Sequence, residues 1–95
     1  MFVLFNPARI ALSTPSAHAP ISQEFWGKGA NVQLGPGVNV ARVPRNGRNF
    51  EYMSGEDPFL GYTLVQPAVQ GIQSQGVIAD AKHYVLNNQA CGNAS

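Results

Sequence analysis

Ninety-five residues limit the chain to one small domain or to part of a larger one. With 44% apolar residues, 12% charged residues and a net charge of +1, it is neither an acidic disordered tail nor a dedicated nucleic-acid arm. A single cysteine, Cys91, excludes a disulfide or a metal-thiolate cluster within the chain, and no run approaches the roughly 18 apolar residues of a membrane span.

Residues 1–22 differ in texture from the rest of the chain. MFVLF is apolar, but Pro7 and Arg9 interrupt it before it reaches the ~7–15 residues of a secretion-signal core. No basic residue precedes it, and Ala17-His18-Ala19 only superficially resembles a cleavage site. Residues 13–22 are rich in Pro, Ser and Ala, which predicts a linker or unpacked lead-in.

From Gln23 the pattern changes. QEFWGKG predicts the end of a helix, with Phe25 and Trp26 packing and Gly27 or Gly29 stopping it. Residues 31–34 (NVQL) alternate towards Gly35-Pro36-Gly37, the pattern of a short strand ended by a turn. Neither GxGxxG nor GxxxxGK[ST] is present, so the Gly-rich loop gives little support to a nucleotide site. Residues 38–43 (VNVARV) read as another extended piece.

In PRNGRNFEYMSGEDP, Arg45 and Arg48 flank a turn-forming Asn46-Gly47, and Gly47 is expected to supply backbone freedom there. Guanidinium groups suit carboxylates, phosphates or sets of sugar hydroxyls, because they present several donors in a rigid fork. Arginine beside aromatics also suits RNA loops. The plainer alternative pairs the arginines with Glu51, Glu56 or Asp57 in a surface network; it is preferred for Arg45 and left open for Arg48.

Asp57-Pro58 has the order of a helix start, a capping carboxylate followed by proline at the first helical position. Leu60, Leu64, Val65, Ala68, Val69 and Ile72 follow at helical spacing, so a helix is expected to run to about Gln75 with its apolar stripe on the next strand. Pro67 is expected to kink it or to thin its hydrogen bonding. Residues 76–89, GVIADAKHYVLNNQ, then predict a buried strand over 77–82. Helix followed by buried strand is the repeat of an α/β protein with a parallel sheet. The strand ends in Lys82, His83 and Tyr84, and ligand sites of α/β proteins lie at the carboxyl ends of strands. His83 and Tyr84 either grip a ligand there or finish the strand with local hydrogen bonds.

The ordered motifs KGAN…LGPG, GRNFE, GEDP, GIQSQGVIA and KHY…NNQ strongly resemble the N-terminal barrel of glycoside hydrolase family 3, the β-glucosidase group. The similarity covers roughly residues 24–89. PGHG, usual after Lys-His in the bacterial N-acetylglucosaminidase branch, is absent after Lys82-His83, which favours the glucosidase branch. The resemblance implies an α/β fold, specifically a fragment of a (β/α)8 TIM barrel, whose complete form takes about 250 residues. It divides the chain into an unmatched, poorly ordered lead-in (1–22), a partial barrel domain (23–89) and an unmatched tail (90–95).

The resemblance also implies roles. Arg48, from GRNFE, and Lys82 and His83, from the Lys-His pair, become substrate-binding residues for the sugar beside the scissile bond. Such contacts can strengthen as the ring flattens towards an oxocarbenium-like transition state. Glu51 matches no catalytic position and reads as a structural partner, with Arg48 the candidate. Asp80 shares the Lys82 face of the strand but is variable in the family. The family's nucleophile is an aspartate on a later strand, usually in SDW, and its acid/base usually comes from a following domain. Neither segment is in this chain, so no catalytic residue is assigned.

The expected substrate is a β-glucoside or oligosaccharide, with no cofactor, metal, nucleic acid or membrane involved. Full-length relatives are expected to be extracellular. Three readings compete: a partial sequence of a retaining β-glucosidase, a non-catalytic sugar-binding or partner-binding remnant, and an RNA-binding loop protein using Arg42, Arg45, Arg48 and Phe50. The lack of net basic charge weighs against the last.

Overall fold

The computed structural model describes residues 15–84, 87 and 88. Its first element, helix α1 (Pro15–Gly27), ends where QEFWGKG predicts. Gly29 takes φ 83 and donates its N–H to the Trp26 carbonyl (2.9 Å), while Ala30 donates to the Phe25 carbonyl (2.9 Å). These paired bonds form a Schellman cap, and glycine meets its left-handed position without steric cost.

The start of α1 corrects the sequence reading. PSAHAPIS, assigned to an unpacked linker, is helical from Pro15, and the helix runs unbroken through residues 22 and 23. Ser22 is fully buried and donates its hydroxyl to Gln33 Oε1 (3.0 Å), tying the helix to the next strand. Most helical stability in proteins comes from tertiary packing, which local composition does not reveal. Residues 1–14 and 90–95, with Cys91, lie outside the described residues.

Strand β1 (Val32–Gln33) pairs in parallel with β2 (Ile78–Ala79), Val32 opposite Ile78 and Gln33 opposite Ala79. Between them in the chain lies helix α2 (Pro58–Gln73). It starts as the sequence predicts: Asp57 caps it by accepting the Phe59 N–H at 2.9 Å, with Pro58 at the first position. It continues through Pro67 as one element and ends two residues before the expected Gln75, at a turn closed by Gly76 with φ 75.

The apolar stripe of α2 forms the core, but it does not lie chiefly on the strand as expected. Leu64, Ala68 and Ile72 are buried, with Val77 and Tyr52, and α2 packs more extensively on α1 than on β2. The expectation of a strand buried on both faces also fails. Val77 is 2% exposed, whereas Ile78 is 58% exposed beside Val32 and Leu34, which are exposed too. The described residues cover one face of the sheet, so the run alternates in burial although its residue types do not.

Beyond the short sheet, Gly37 forms parallel bridges with Tyr52 on one side and Lys82 on the other. Met53 N–H donates to the Gly37 carbonyl (3.1 Å), Val38 N–H to the Lys82 carbonyl (2.7 Å), and Lys82 N–H to the Pro36 carbonyl (2.9 Å). A Cβ on Gly37 would lie 2.6 Å from the Glu51 carbonyl oxygen, so only glycine fits between these segments. Three parallel segments thus lie side by side in the order Tyr52, Gly37, Lys82, and the candidate residues sit on the two outer ones.

Candidate functional site

The turn that carries Arg48 is built by asparagines. The buried Asn46 accepts the Arg48 N–H on Oδ1 (3.3 Å) and donates from Nδ2 to Asn49 Oδ1 (2.9 Å); Asn49 Nδ2 donates to the Val43 carbonyl (2.8 Å). Gly47 does not supply the expected left-handed residue; among the described residues the positive-φ glycines are Gly29, Gly55 and Gly76. The Asn46 side chain mimics a backbone turn and makes that freedom unnecessary. A 3-10 turn, Asn49–Glu51, comes next. It places Glu51 three residues after Arg48, on the same side.

Glu51 is the centre of the site. Arg48 donates from Nε to Oε1 (2.5 Å) and from Nη2 to Oε2 (2.8 Å), a bidentate fork. Lys82, 31 residues away, donates from Nζ to Oε2 (2.7 Å). Hydrogen bonding from Arg48 first, and from Lys82 next, pushes the Glu51 carboxyl down to about 2. The same bond to Glu51 raises the pKa of Arg48. The carboxylate is therefore ionised throughout the neutral range and has no proton to give.

Two of the three expected site residues, Arg48 and Lys82, converge on this one carboxylate. His83 is placed differently. Its backbone N–H donates to Asn39 Oδ1 (3.2 Å), and its ring meets Tyr52 edge-on with centroids 6.2 Å apart. Its Nε2 is buried and has no hydrogen-bond partner among the described residues. A cavity of about 400 Å³ is lined by Glu51 and Lys82 together with Leu34, Gly37, Phe50 and Tyr52; neither Arg48 nor His83 is on its wall. That volume falls within the ordinary range of small-molecule sites. Tyr84 is exposed, as is Asp80.

Asn39, which the sequence reading passed over, connects the three segments. Besides holding the His83 N–H, it donates from Nδ2 to the Asn87 carbonyl (3.2 Å), and its own carbonyl accepts the hydroxyl of the buried Ser54. Asn87 Nδ2 in turn donates to the Tyr52 hydroxyl (3.3 Å). No local signal marks Asn39, because its partners lie 15, 44 and 48 residues further along the chain.

The parallel segments and the helix that connects them make an α/β arrangement, with a cation pair around one carboxylate. The family described as glycosyl hydrolase family 3 N terminal domain matches residues 15–92, and the chain belongs to that family. It is 56% identical over 69 residues to β-glucosidase BoGH3A of Bacteroides ovatus, covering 73% of this chain and 9% of that protein. It is 46% identical over 71 residues to thermostable β-glucosidase B of Acetivibrio thermocellus, covering 75% of this chain and 9% of the relative. Among solved structures it resembles β-glucosidase 3B of Thermotoga neapolitana in complex with α-D-glucose, with a TM-score of 0.74 and 44% identity over 82% of this chain and 11% of the other. The chain thus spans about a tenth of the length of these relatives.

Proposed function

We propose that this chain forms part of the (β/α)8 barrel of a retaining β-glucosidase and contributes one wall of its sugar site. The observation that carries the reading is the convergence of Arg48 and Lys82 on Glu51, which with Lys82 lines a cavity of small-molecule size, in a chain 44% identical to a glucose-bound relative. Parallel segments alternating with helix α2 suit a barrel, and barrel sites lie at the carboxyl ends of strands. Arg48 and Lys82 offer their remaining N–H donors to neighbouring ring hydroxyls, and contacts that tighten as the ring flattens lower the barrier rather than merely binding substrate. His83 takes part through its backbone, which Asn39 holds next to Lys82.

The attacking carboxylate and the proton donor are assigned to segments other than this one. Retaining hydrolysis needs two carboxyl groups about 5–5.5 Å apart across the bond, one of them protonated. The chain has five carboxylates, and those with described partners are committed elsewhere. Glu51 is clamped by two cations, Asp57 caps α2, and Glu24 pairs with Lys28 at 3.7 Å on the surface of α1. The test is turnover of an aryl β-glucoside by the intact protein, with Lys82→Ala beside it. Wild-type turnover lost in Lys82→Ala with the fold retained supports the reading. Glucose binding without any turnover selects a sugar-binding remnant instead.

A further inference from the structure

A guanidinium recognises a carboxylate or phosphate by laying two parallel N–H groups against two oxygens. At Arg48 the Nε–Nη2 edge is already taken, since both groups point at the Glu51 carboxylate. Lys82, the second cation, also spends one donor on the same group. Glu51 and Lys82 stand on the cavity wall, their side chains 20% and 24% exposed, while Arg48, 29% exposed, holds Glu51 from off that wall. Its formal charge is +1 instead of the +2 of the bare cations, and the negative charge lies between them.

We propose that Glu51 is a specificity-determining positioning residue that fills the anion-binding fork of Arg48 and so reserves the site for neutral sugars against uronic acids and sugar phosphates. The inference rests on the glycosidase reading above and adds to it a reason for discrimination. An anionic ring substituent arriving at the cavity wall meets the Glu51 carboxylate already in place, and that like-charge contact offsets the attraction of Lys82. A hydroxyl needs only one donor, and both Arg48 and Lys82 keep N–H groups that Glu51 does not use. Glu51 also fixes the two cations relative to one another across the Gly37 segment, so the donors are oriented before a ligand arrives.

The experiment compares wild type and Glu51→Gln in the intact protein on an aryl β-glucoside and the matching aryl β-glucuronide. The ratio of kcat/KM for glucuronide over glucoside is expected to rise about tenfold in the variant, the size of one charge-assisted hydrogen bond gained or lost. A merely structural role lowers both rates together and leaves the ratio where it was, and an unchanged ratio overturns the proposal. Should Glu51→Gln fail to fold, calorimetric affinities of the wild type for D-glucose, D-glucuronate and glucose 6-phosphate decide it. Glucose is expected to bind at least about tenfold more tightly than either anion; equal or tighter binding of an anion overturns the proposal. A wild type that turns over no glucoside refutes the glycosidase reading separately, and these affinities still test the role of Glu51.

Discussion

The ammonium of Lys82 lies 2.7 Å from the carboxylate of Glu51, and the two residues sit on opposite sides of the Gly37 segment. This contact reaches across the middle segment to join two outer ones. Removing either end has unequal consequences. Lys82→Ala leaves Glu51 still gripped by Arg48, whereas Glu51→Ala leaves two cations facing each other. Thermal melts are expected to show the larger loss of stability for Glu51→Ala. The glucosidase reading adds that Lys82→Ala lowers kcat/KM for a β-glucoside by about tenfold or more, the loss expected for one charged hydrogen bond. A full wild-type rate in that variant removes Lys82 from the site.

Acid titration reads the same cluster. The Glu51 carboxyl is held down to about 2 in the folded chain, against an ordinary value of about 4.3 when unfolded. The folded state therefore binds this proton less readily. The stabilisation is fully present above about pH 4.3 and is lost as the pH falls through about 2. The melting-temperature gap between wild type and Glu51→Gln is expected to be widest above that window and to close within it. A gap constant from about pH 5 to about pH 2 contradicts the ion pairing.

Gly61→Ala reverses the usual helix rule. Alanine in a helix interior ordinarily gains about 1 kcal/mol over glycine. Gly61, however, faces Ser54, and an added Cβ would stand 2.6 Å from the Ser54 Cβ. Ser54 cannot withdraw freely, because it is buried and its hydroxyl is bonded to the Asn39 carbonyl. The substitution is expected to destabilise by about 1–3 kcal/mol, as overpacking does. Denaturant unfolding checks it, and a stabilised variant would show that the α2 contact is loose.

Asn39→Leu is expected to cost about 1–3 kcal/mol by leaving the His83 N–H and the Asn87 carbonyl without their partner. Asn39→Asp keeps the acceptor for His83 but sets an oxygen against the Asn87 carbonyl, so it is expected to recover only part of the loss. Equal stability of all three proteins in denaturant unfolding would remove Asn39 from the framework.

The start of α2 and the Schellman end of α1 were legible because caps and turn glycines act over a few residues. Asp57-Pro58 and Gly29 carry their own instructions. The beginning of α1 was not legible, since PSAHAPIS is held by tertiary contacts such as that of the buried Ser22 with Gln33. Family motifs pointed to Arg48, Lys82 and His83, and the structure brings the first two together on Glu51. The Arg48–Glu51 pair spans three residues and was anticipated; the bond from Lys82 comes from 31 residues away and depends on Gly37 keeping the intervening segment free of a side chain. The burial pattern of residues 77–80 was misread because residue type alone does not say which face of a sheet is covered.

Trp26 is the one tryptophan of this chain, and it is 59% exposed rather than packed away. Its six-membered ring lies against Gly76, so close that a Cβ there would stand 3.7 Å from it. The indole therefore lies over the turn that leads from α2 into β2 while more than half its surface meets solvent. That makes it a native optical probe of one seam: excited in this segment, its emission reports whether α1 stays seated on the α2–β2 turn. Separation of the two exposes the remaining face of the ring to water and shifts the emission to longer wavelength, without any label being attached.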